Sequence, residues 1–299
     1  MRKSKMQRRT FLKTSSLACM SGYVKPARLR NNEDGKIRPV ICLNAYSFNR
    51  LLLDGKMSLE ELFRYAAETG FAGVDLTAYY IPGYPDVPED EVLFNIKRMA
   101  FRHGLAVTGT GVRNDFTLAD PEKRAAEIAL VKNWIIAAAK LGAPHVRVFS
   151  GRQSPPGHSR EEIKSWIIES FQECADFASS YGVMIGFQNH DDFIVTTEDI
   201  LDILQGVDSG WFGLMLDIGS LPTADPYAEI EKLIPYAITW QVKENLKTGM
   251  GSIPTDFGKL MKMVDESNYQ GFFPIETLGE GDPYVKVKAL YKHVSDSMI

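Results

Sequence analysis

From residue 39 onward the sequence alternates between short apolar runs and longer segments of helical periodicity, which limits the fold more than any other feature. Eight strands are predicted, at 40–47, 73–77, 106–111, 145–150, 183–189, 213–217, 238–243 and 272–277. Eight helices are predicted near 58–69, 89–103, 121–141, 159–181, 196–206, 226–234, 254–267 and 282–298. Strict alternation indicates a parallel sheet, and eight repeats over roughly 260 residues are typical of an α/β fold closed as a (β/α)8 TIM barrel.

The segments between the predicted strands carry helix start and stop signals. Ser58 and Asp120 stand where helix N-caps are expected, and Gly70 and Gly142 stand where a left-handed residue would end a helix. The irregular segment 79–88 is rich in Pro, Gly and Tyr, and we expect it to form part of a substrate-side rim or lid. No Gly-x-Gly-x-x-Gly sequence opens a helix after the first strand, so the dinucleotide-binding pattern is missing.

Residues 1–22 are basic and contain no acid. The run Gln7-Arg8-Arg9-Thr10-Phe11-Leu12-Lys13 resembles a twin-arginine export signal, and a short apolar run follows it. We therefore expect 1–36 to be an export leader and linker, cleaved within 18–36, and 37–299 to be the barrel, located in the periplasm. A disordered basic tail is the alternative. Ser16-Leu17-Ala18-Cys19 loosely resembles a lipoprotein cleavage site, which leaves a lipid anchor at Cys19 open.

Composition excludes several classes of protein. The formal net charge is −4, and loss of the basic leader would make the chain more acidic, so no nucleic-acid partner is expected. No stretch approaches the roughly 20 apolar residues of a transmembrane helix. Cys42 falls on a predicted strand and Cys174 on a predicted helix, so both are expected to be buried thiols rather than a disulfide.

Polar residues are concentrated where the predicted strands end, and in an α/β barrel these ends form the functional face. The polar strand ends are Asn44, Tyr46, Asp75, Thr77, Arg113, Arg147, Gln188, Asn189, His190, Asp217, Gln241, Lys243, Glu244 and Glu276. Buried carboxylates without partners are costly, so Asp217 and Glu276 require a cation or hydrogen-bond donors. A bound divalent metal would satisfy both.

Several of these segments together resemble the xylose-isomerase-like barrel superfamily, the sugar phosphate isomerases and epimerases. The resemblance covers residues 39–299 and is carried by Gly70-Phe-Ala-Gly73-Val-Asp75-Leu, Ala139-Lys-Leu-Gly142-Ala, Gly186-Phe-Gln188-Asn189-His190, Leu216-Asp217-Ile-Gly219, Gln241-Val-Lys243-Glu244 and Pro274-Ile-Glu276. It implies a divalent metal held by Glu, Asp, His and Glu after strands five to eight. It also implies that the metal holds two sugar oxygens while the two glutamates exchange protons.

Two of the four implied metal ligands match this sequence and two depart from it. Asp217 and Glu276 match, whereas Gln188 stands in place of Glu and Gln241 in place of His. Ser220 also replaces a His often found after the sixth-strand Asp. With these four residues as the predicted metal ligands, two carboxylates and two amide oxygens favour Mg²⁺, Mn²⁺ or Ca²⁺ over Zn²⁺. One of the two proton-exchanging groups is lost, because an amide cannot act as a base.

Glu276 remains as the predicted catalytic carboxylate. Lys243 lies two residues beyond Gln241, on the same side of its strand, and is a candidate acid or base if desolvation lowers its pKa. His190 is a third candidate, with a loop histidine bonded to backbone as the alternative. The residues predicted to bind substrate are Asn44, Tyr46, Arg113, Arg147, Asn189 and Glu244.

Three functions of different classes remain open. The first is an enzyme acting on a free or oxidised sugar, or a glycoside, by metal-assisted proton transfer next to a carbonyl, with isomerase, epimerase and lyase versions unseparated. The second is a non-catalytic or metal-free sugar-binding barrel, since half of the implied metal shell is changed. The third is an endonuclease-type phosphodiesterase. The acidic charge and only five histidines disfavour it, because such sites need a His-rich zinc shell. The partner expected for the first two is a small carbohydrate.

Overall fold

The computed structural model describes residues 38–190 and 193–298, so the predicted leader lies outside the described residues. Within them the strands are β1 Val40–Asn44, β2 Gly73–Asp75, β3 Ala106–Gly111, β4 His145–Val148, β5 Met184–Gln188, β6 Phe212–Asp217, β7 Ala237–Lys243, β8 Asn245–Thr248, β9 Gly251–Pro254 and β10 Phe272–Glu276. Eight parallel strands close a barrel in the order β1-β10-β7-β6-β5-β4-β3-β2, and β8 and β9 form a separate hairpin. The predicted (β/α)8 TIM barrel is confirmed.

The helices of the described residues surround the barrel. They are α1 Asn49–Leu53, α2 Leu59–Thr69, α3 Asp90–Arg102, α4 Pro121–Leu141, α5 Arg160–Ser179, α6 Thr197–Gly206, α7 Pro226–Leu233, α8 Phe257–Ser267 and α9 Pro283–Ser297. Short 3-10 turns lie at Ala45–Phe48, Ala78–Tyr80 and Ile234–Tyr236. None of the helices in this part of the chain is long and apolar enough to span a membrane.

Helix ends follow the signals in the sequence. Ser58 and Glu61 form a reciprocal capping box at the start of α2, and Asp120 accepts two backbone N–H groups at the start of α4. Gly70 and Gly142 end these two helices with φ angles of 103° and 79°, which non-glycine residues rarely adopt. These glycines turn the chain back into the next strand and so fix where β2 and β4 begin.

The segment after β7 differs from the prediction, which placed a helix directly over 254–267. The chain first makes the hairpin β8–β9 around Gly249 and Met250, and α8 starts at Phe257. Thr255 holds the return of this hairpin against the end of β7. Its hydroxyl donates to the carbonyl oxygen of Lys243 at 2.8 Å, and its N–H donates to that of Glu244 at 2.9 Å.

The barrel interior is shaped by two glycines on β3. A Cβ atom at Gly109 would lie 2.2 Å from the ring of His145, and one at Gly111 would lie 2.6 Å from Nε of Arg147. The absence of side chains on this face of β3 therefore makes room for His145 and Arg147 inside the barrel. Cys42 and Cys174 are buried free thiols, as predicted.

Candidate active site at the carboxyl ends of the barrel strands

Asp217, the last residue of β6, is the centre of a hydrogen-bond network and is fully buried. Its Oδ2 accepts from Nε2 of Gln188 at 2.8 Å and from the hydroxyl of Ser220 at 3.1 Å. Its Oδ1 accepts the backbone N–H of Gly219 at 2.9 Å. These contacts fix the carboxylate in one orientation.

Lys243, at the end of β7, joins two carboxylates. Its Nζ lies 2.7 Å from Oδ2 of Asp217 and 3.2 Å from Oε2 of Glu276. Lys243 and Glu276 are neighbours in register on β7 and β10, which places their side chains at the same level of the barrel. The three side chains form an ion-paired group, which we call the lysine triad: Asp217, Lys243 and Glu276.

Accessibility differs within the lysine triad. The side chain of Asp217 exposes nothing, whereas those of Lys243 and Glu276 retain 11% and 8% of their exposure. Lys243 and Glu276 are therefore the members of the triad that keep some exposure, whereas Asp217 is fully enclosed.

The charges in the lysine triad shift two pKa values. Burial lowers the pKa of Lys243, but the charges of Asp217 and Glu276 together outweigh burial, so the pKa rises above its ordinary value. The condition on which Lys243 was a candidate acid or base, a net lowering of its pKa by desolvation, is therefore not met, and the raised pKa favours the charged ammonium. Burial raises the pKa of Glu276, and the charge of Lys243 offsets part of that rise.

The two glutamines do not act as a pair. Because a carboxylate only accepts hydrogen bonds, Gln188 must turn its NH₂ group, and not its oxygen, toward Asp217. Gln241 lies beside Asp217 in register, but its Nε2 contacts Sδ of Met215 at 3.5 Å. Its buried Oε1 has no hydrogen-bond partner among the described residues.

A divalent metal does not fit the residues present. An ion between Asp217 and Glu276 would stand where the Lys243 ammonium lies within hydrogen-bonding distance of both carboxylates. The amide of Gln188 offers that place an N–H donor, which repels a cation. Across 38–190 and 193–298, no group of three or more His, Cys, Asp or Glu side chains could hold a metal ion. Two of the four residues that the resemblance implies as metal ligands, Asp217 and Glu276, are thus ion-paired with Lys243.

Asn189 holds the end of β6 in place. Its Nδ2 donates to the carbonyl oxygen of Asp217 and its Oδ1 accepts the N–H of the same residue, both at 2.8 Å. Both ends of the amide are therefore used by the backbone. The structure brings this predicted substrate-binding residue to the site as a support for Asp217.

Arg147 and Arg113 form part of the mouth together with the segment 79–88. Arg147 donates to the hydroxyl of Tyr79 at 2.9 Å, and the backbone N–H of Arg113 donates to the hydroxyl of Tyr84 at 2.9 Å. The guanidinium of Arg113 lies 5.0 Å from the centre of the Tyr79 ring. Tyrosines of the segment 79–88 thus contact both arginines.

The other predicted residues lie around this centre. Asn44 accepts the N–H of Tyr46 at 2.8 Å and starts the 3-10 turn after β1. Tyr46 lines a cleft of about 540 Å³ between this turn and the loop after β10. Glu244 pairs with Lys286 of α9 at 3.2 Å. His190 packs edge-on against Phe149, with ring centres 5.1 Å apart.

Asp75, at the end of β2, is a titratable group to which the sequence assigned no role. It is buried, and burial raises its pKa to about 7, although Arg147 lowers it and Glu276 raises it further. Its Oδ1 would lie 3.1 Å from a Cβ at Gly109. Its position at a strand end was visible in the sequence, but its burial and its proximity to Arg147 and Glu276 depend on barrel closure.

A family model described as "Xylose isomerase-like TIM barrel" matches residues 63–296 of the chain. An uncharacterised protein of Methanocaldococcus jannaschii is 30% identical over 159 residues, which cover 46% of this chain and 53% of that protein. The aligned region therefore spans about half the length of that relative.

Solved structures share the fold at low identity. D-Psicose 3-epimerase of Clostridium cellulolyticum H10, bound to D-tagatose, superposes with a TM-score of 0.67 at 16% identity, covering 86% of this chain and 91% of its own. A xylose isomerase-like TIM barrel protein of Mycobacterium smegmatis in complex with magnesium gives 0.67 at 18%, covering 88% and 98%. The 3-keto-D-glucoside 4-epimerase of E. coli gives 0.66 at 17%, covering 87% and 99%.

Proposed function

We propose that this chain, which belongs to the xylose isomerase-like TIM barrel family, is an enzyme that transfers a proton at a carbon next to the carbonyl group of a small carbohydrate. One observation carries the proposal. At the barrel mouth, Glu276 and the Lys243 ammonium lie 3.2 Å apart and are both partly accessible. A carboxylate base beside a fixed cation provides the two groups that such a reaction needs.

The proton transfer follows from this pairing. Glu276 removes a proton from the carbon next to the carbonyl, and the electron pair moves onto the carbonyl oxygen. The Lys243 ammonium donates a hydrogen bond to that oxygen as its negative charge grows. Return of a proton to the opposite face of the same carbon gives an epimer. Return to the former carbonyl carbon, with the proton of the neighbouring hydroxyl passing to the former carbonyl oxygen, gives an isomer.

Asp75 is the proposed second proton carrier. Its pKa of about 7 gives it both protonation states near neutral pH. Asp75 can therefore donate the proton that returns to the substrate after Glu276 has removed one. Asp75 is the last residue of β2 and interacts electrostatically with Glu276 and with Arg147, which supports this role. It therefore takes over the role that Gln188 cannot perform.

Arg113 and Arg147 favour an oxidised sugar as the substrate. Arg147 interacts with the two acids Asp75 and Glu276, whereas Arg113 is exposed at the rim beside Tyr79. A guanidinium matches the geometry of a carboxylate, so Arg113 would bind the acid group of a uronic or keto-acid sugar.

Deuterium exchange tests the proposal. The protein is incubated in D₂O with pairs of neutral sugars and their uronic acids, and NMR follows incorporation next to the carbonyl. We expect incorporation by wild type and by Glu68→Gln, which alters an exposed glutamate on α2, and none by Glu276→Gln. Sugar binding without exchange would favour the non-catalytic sugar-binding barrel. If none of the sugars or uronic acids bound or exchanged, both the enzyme proposal and the sugar-binding alternative would be contradicted.

For the N-terminal segment we propose export directed by Arg8 and Arg9 within residues 1–36, with the barrel from residue 37 released into the periplasm. N-terminal sequencing of the protein from its native host tests this. We expect a new terminus within 18–36, with acylated Cys19 identifying a lipid anchor. Full-length protein confined to the cytoplasm would contradict export.

A further inference from the structure

We infer that the Lys243 ammonium takes the place of a divalent metal in this barrel, so that the site is lysine-centred and independent of metal. The inference rests on the proposed function for its chemistry, but its consequence for metal binding can be measured without any substrate.

The position of the ammonium is the first support. Lys243 contacts the two carboxylates that the resemblance implies as metal ligands, at 2.7 Å from Asp217 and 3.2 Å from Glu276. Removing one partner of such a buried group leaves uncompensated charge, so the carboxylates hold the ammonium firmly. A metal would have to displace it and leave it in the same buried space.

The surrounding residues are adapted to the lysine. Gly219 follows Asp217 by two residues, and a Cβ there would lie 2.5 Å from Cδ of Lys243. Only glycine at this position leaves room for the aliphatic stem. The N–H of Gly219 also donates to Asp217, so one residue both admits the lysine and orients its partner.

The change at Gln188 agrees with the charge balance around the Lys243 ammonium. Two carboxylates and one ammonium leave one negative charge, and Arg147 interacts with Glu276 from nearby. A Glu in place of Gln188 would add a further buried negative charge beside Asp217. A neutral amide at Gln188 instead donates to that carboxylate and needs no additional cation.

The ammonium also has one donor to spare. Lys carries three N–H groups, and the described residues provide two acceptors, in Asp217 and Glu276. The third N–H is available to a substrate oxygen, since 11% of the side chain remains exposed. It corresponds to the open position that a catalytic metal keeps for its substrate.

Calorimetric titration of EDTA-treated protein with Mn²⁺ tests the inference. We expect no binding to wild type, or to Gln188→Glu/Gln241→His, up to about 1 mM, because Lys243 still fills the site in both. Adding Lys243→Met to the double variant should give one Mn²⁺ per chain, bound at least about tenfold more tightly than by the double variant. Lys288→Met in the double background, at an exposed lysine on α9, should give no gain.

Stoichiometric Mn²⁺ binding by wild type would overturn the inference, as would equal affinity in the double and triple variants. Circular dichroism shows whether the triple variant folds. If it does not, the Mn²⁺ titration of wild type still tests whether the site binds a metal. Sugar turnover is not part of this readout. Absence of turnover with absence of metal binding would reject the proposed function and leave the lysine-centred site standing.

Discussion

The side chain of Lys243 packs directly against Gly219. Its Cδ lies only 2.5 Å from the position that a Cβ at residue 219 would take. Gly219→Ala should push the ammonium off its position and lower kcat by about 10- to 100-fold. Overpacking should also cost roughly 1–3 kcal/mol of stability. Gly210→Ala is the matched control, because a Cβ at Gly210 meets open space. Unchanged kcat in Gly219→Ala would show that the lysine position does not matter.

Lys243→Met should shift the pH dependence of activity. Burial raises the pKa of Glu276 and Lys243 offsets part of the rise, so loss of the ammonium should raise this pKa further. The base is active when deprotonated, and the acidic limb of kcat/KM should therefore move to higher pH. Lys288→Met is the control. If residual turnover is too low, ¹³C NMR titration of the Glu276 carboxyl gives the same information. If neither the acidic limb of kcat/KM nor the NMR titration of Glu276 moved in Lys243→Met, the ammonium would have no influence on the Glu276 pKa, and the lysine triad would be contradicted.

Asp75→Asn should change the pH dependence of stability. Burial raises the folded-state pKa of Asp75 to about 7, so its stabilising contribution is complete below its unfolded pKa and is lost as pH rises to about 7. The free energy of unfolding of wild type, relative to Asp75→Asn, should fall by about 2–3 kcal/mol between pH 5 and pH 8. Urea denaturation at both pH values measures this, with exposed Asp86→Asn as the control. A constant difference would show that the Asp75 pKa is ordinary.

Asn189→Ala distinguishes support of Asp217 from substrate binding. The change leaves the backbone N–H and carbonyl of Asp217 without partners, which should cost about 1–3 kcal/mol of stability. We expect kcat to fall with little change in KM. Asn114 makes the same double contact with the backbone of Phe149 and provides the comparison. Asn114→Ala should lose similar stability while kcat stays near wild type. A raised KM with intact stability in Asn189→Ala would assign Asn189 to the substrate.

The barrel could be predicted because each repeat carries local signals, such as Ser58 and Gly70, that do not depend on distant residues. The hairpin β8–β9 was missed because its strands are short. The Gly249-Met250 turn between them was the one available signal.

The candidate site was predicted in its location but not in its electrostatics. Lys243 was recognised from its strand position, yet its pKa moves upward because Asp217 and Glu276 approach it from two other strands. The same limit applies to Asp75, whose burial arises from barrel closure. Sequence position thus indicated which side chains the barrel brings together at one end. Distances between strands decided which groups are charged.

Deuterium incorporation by chelator-treated wild-type protein is the most direct test of a proton-transfer site built on Lys243 and Glu276. The protein is dialysed against EDTA, shown by elemental analysis to be free of divalent metal, and incubated in D₂O with the sugar that gives the highest exchange. We predict that incorporation next to the carbonyl proceeds at the untreated rate and does not increase when Mg²⁺ or Mn²⁺ is added. Loss of exchange after chelation, with recovery on addition of a divalent metal, would contradict the account.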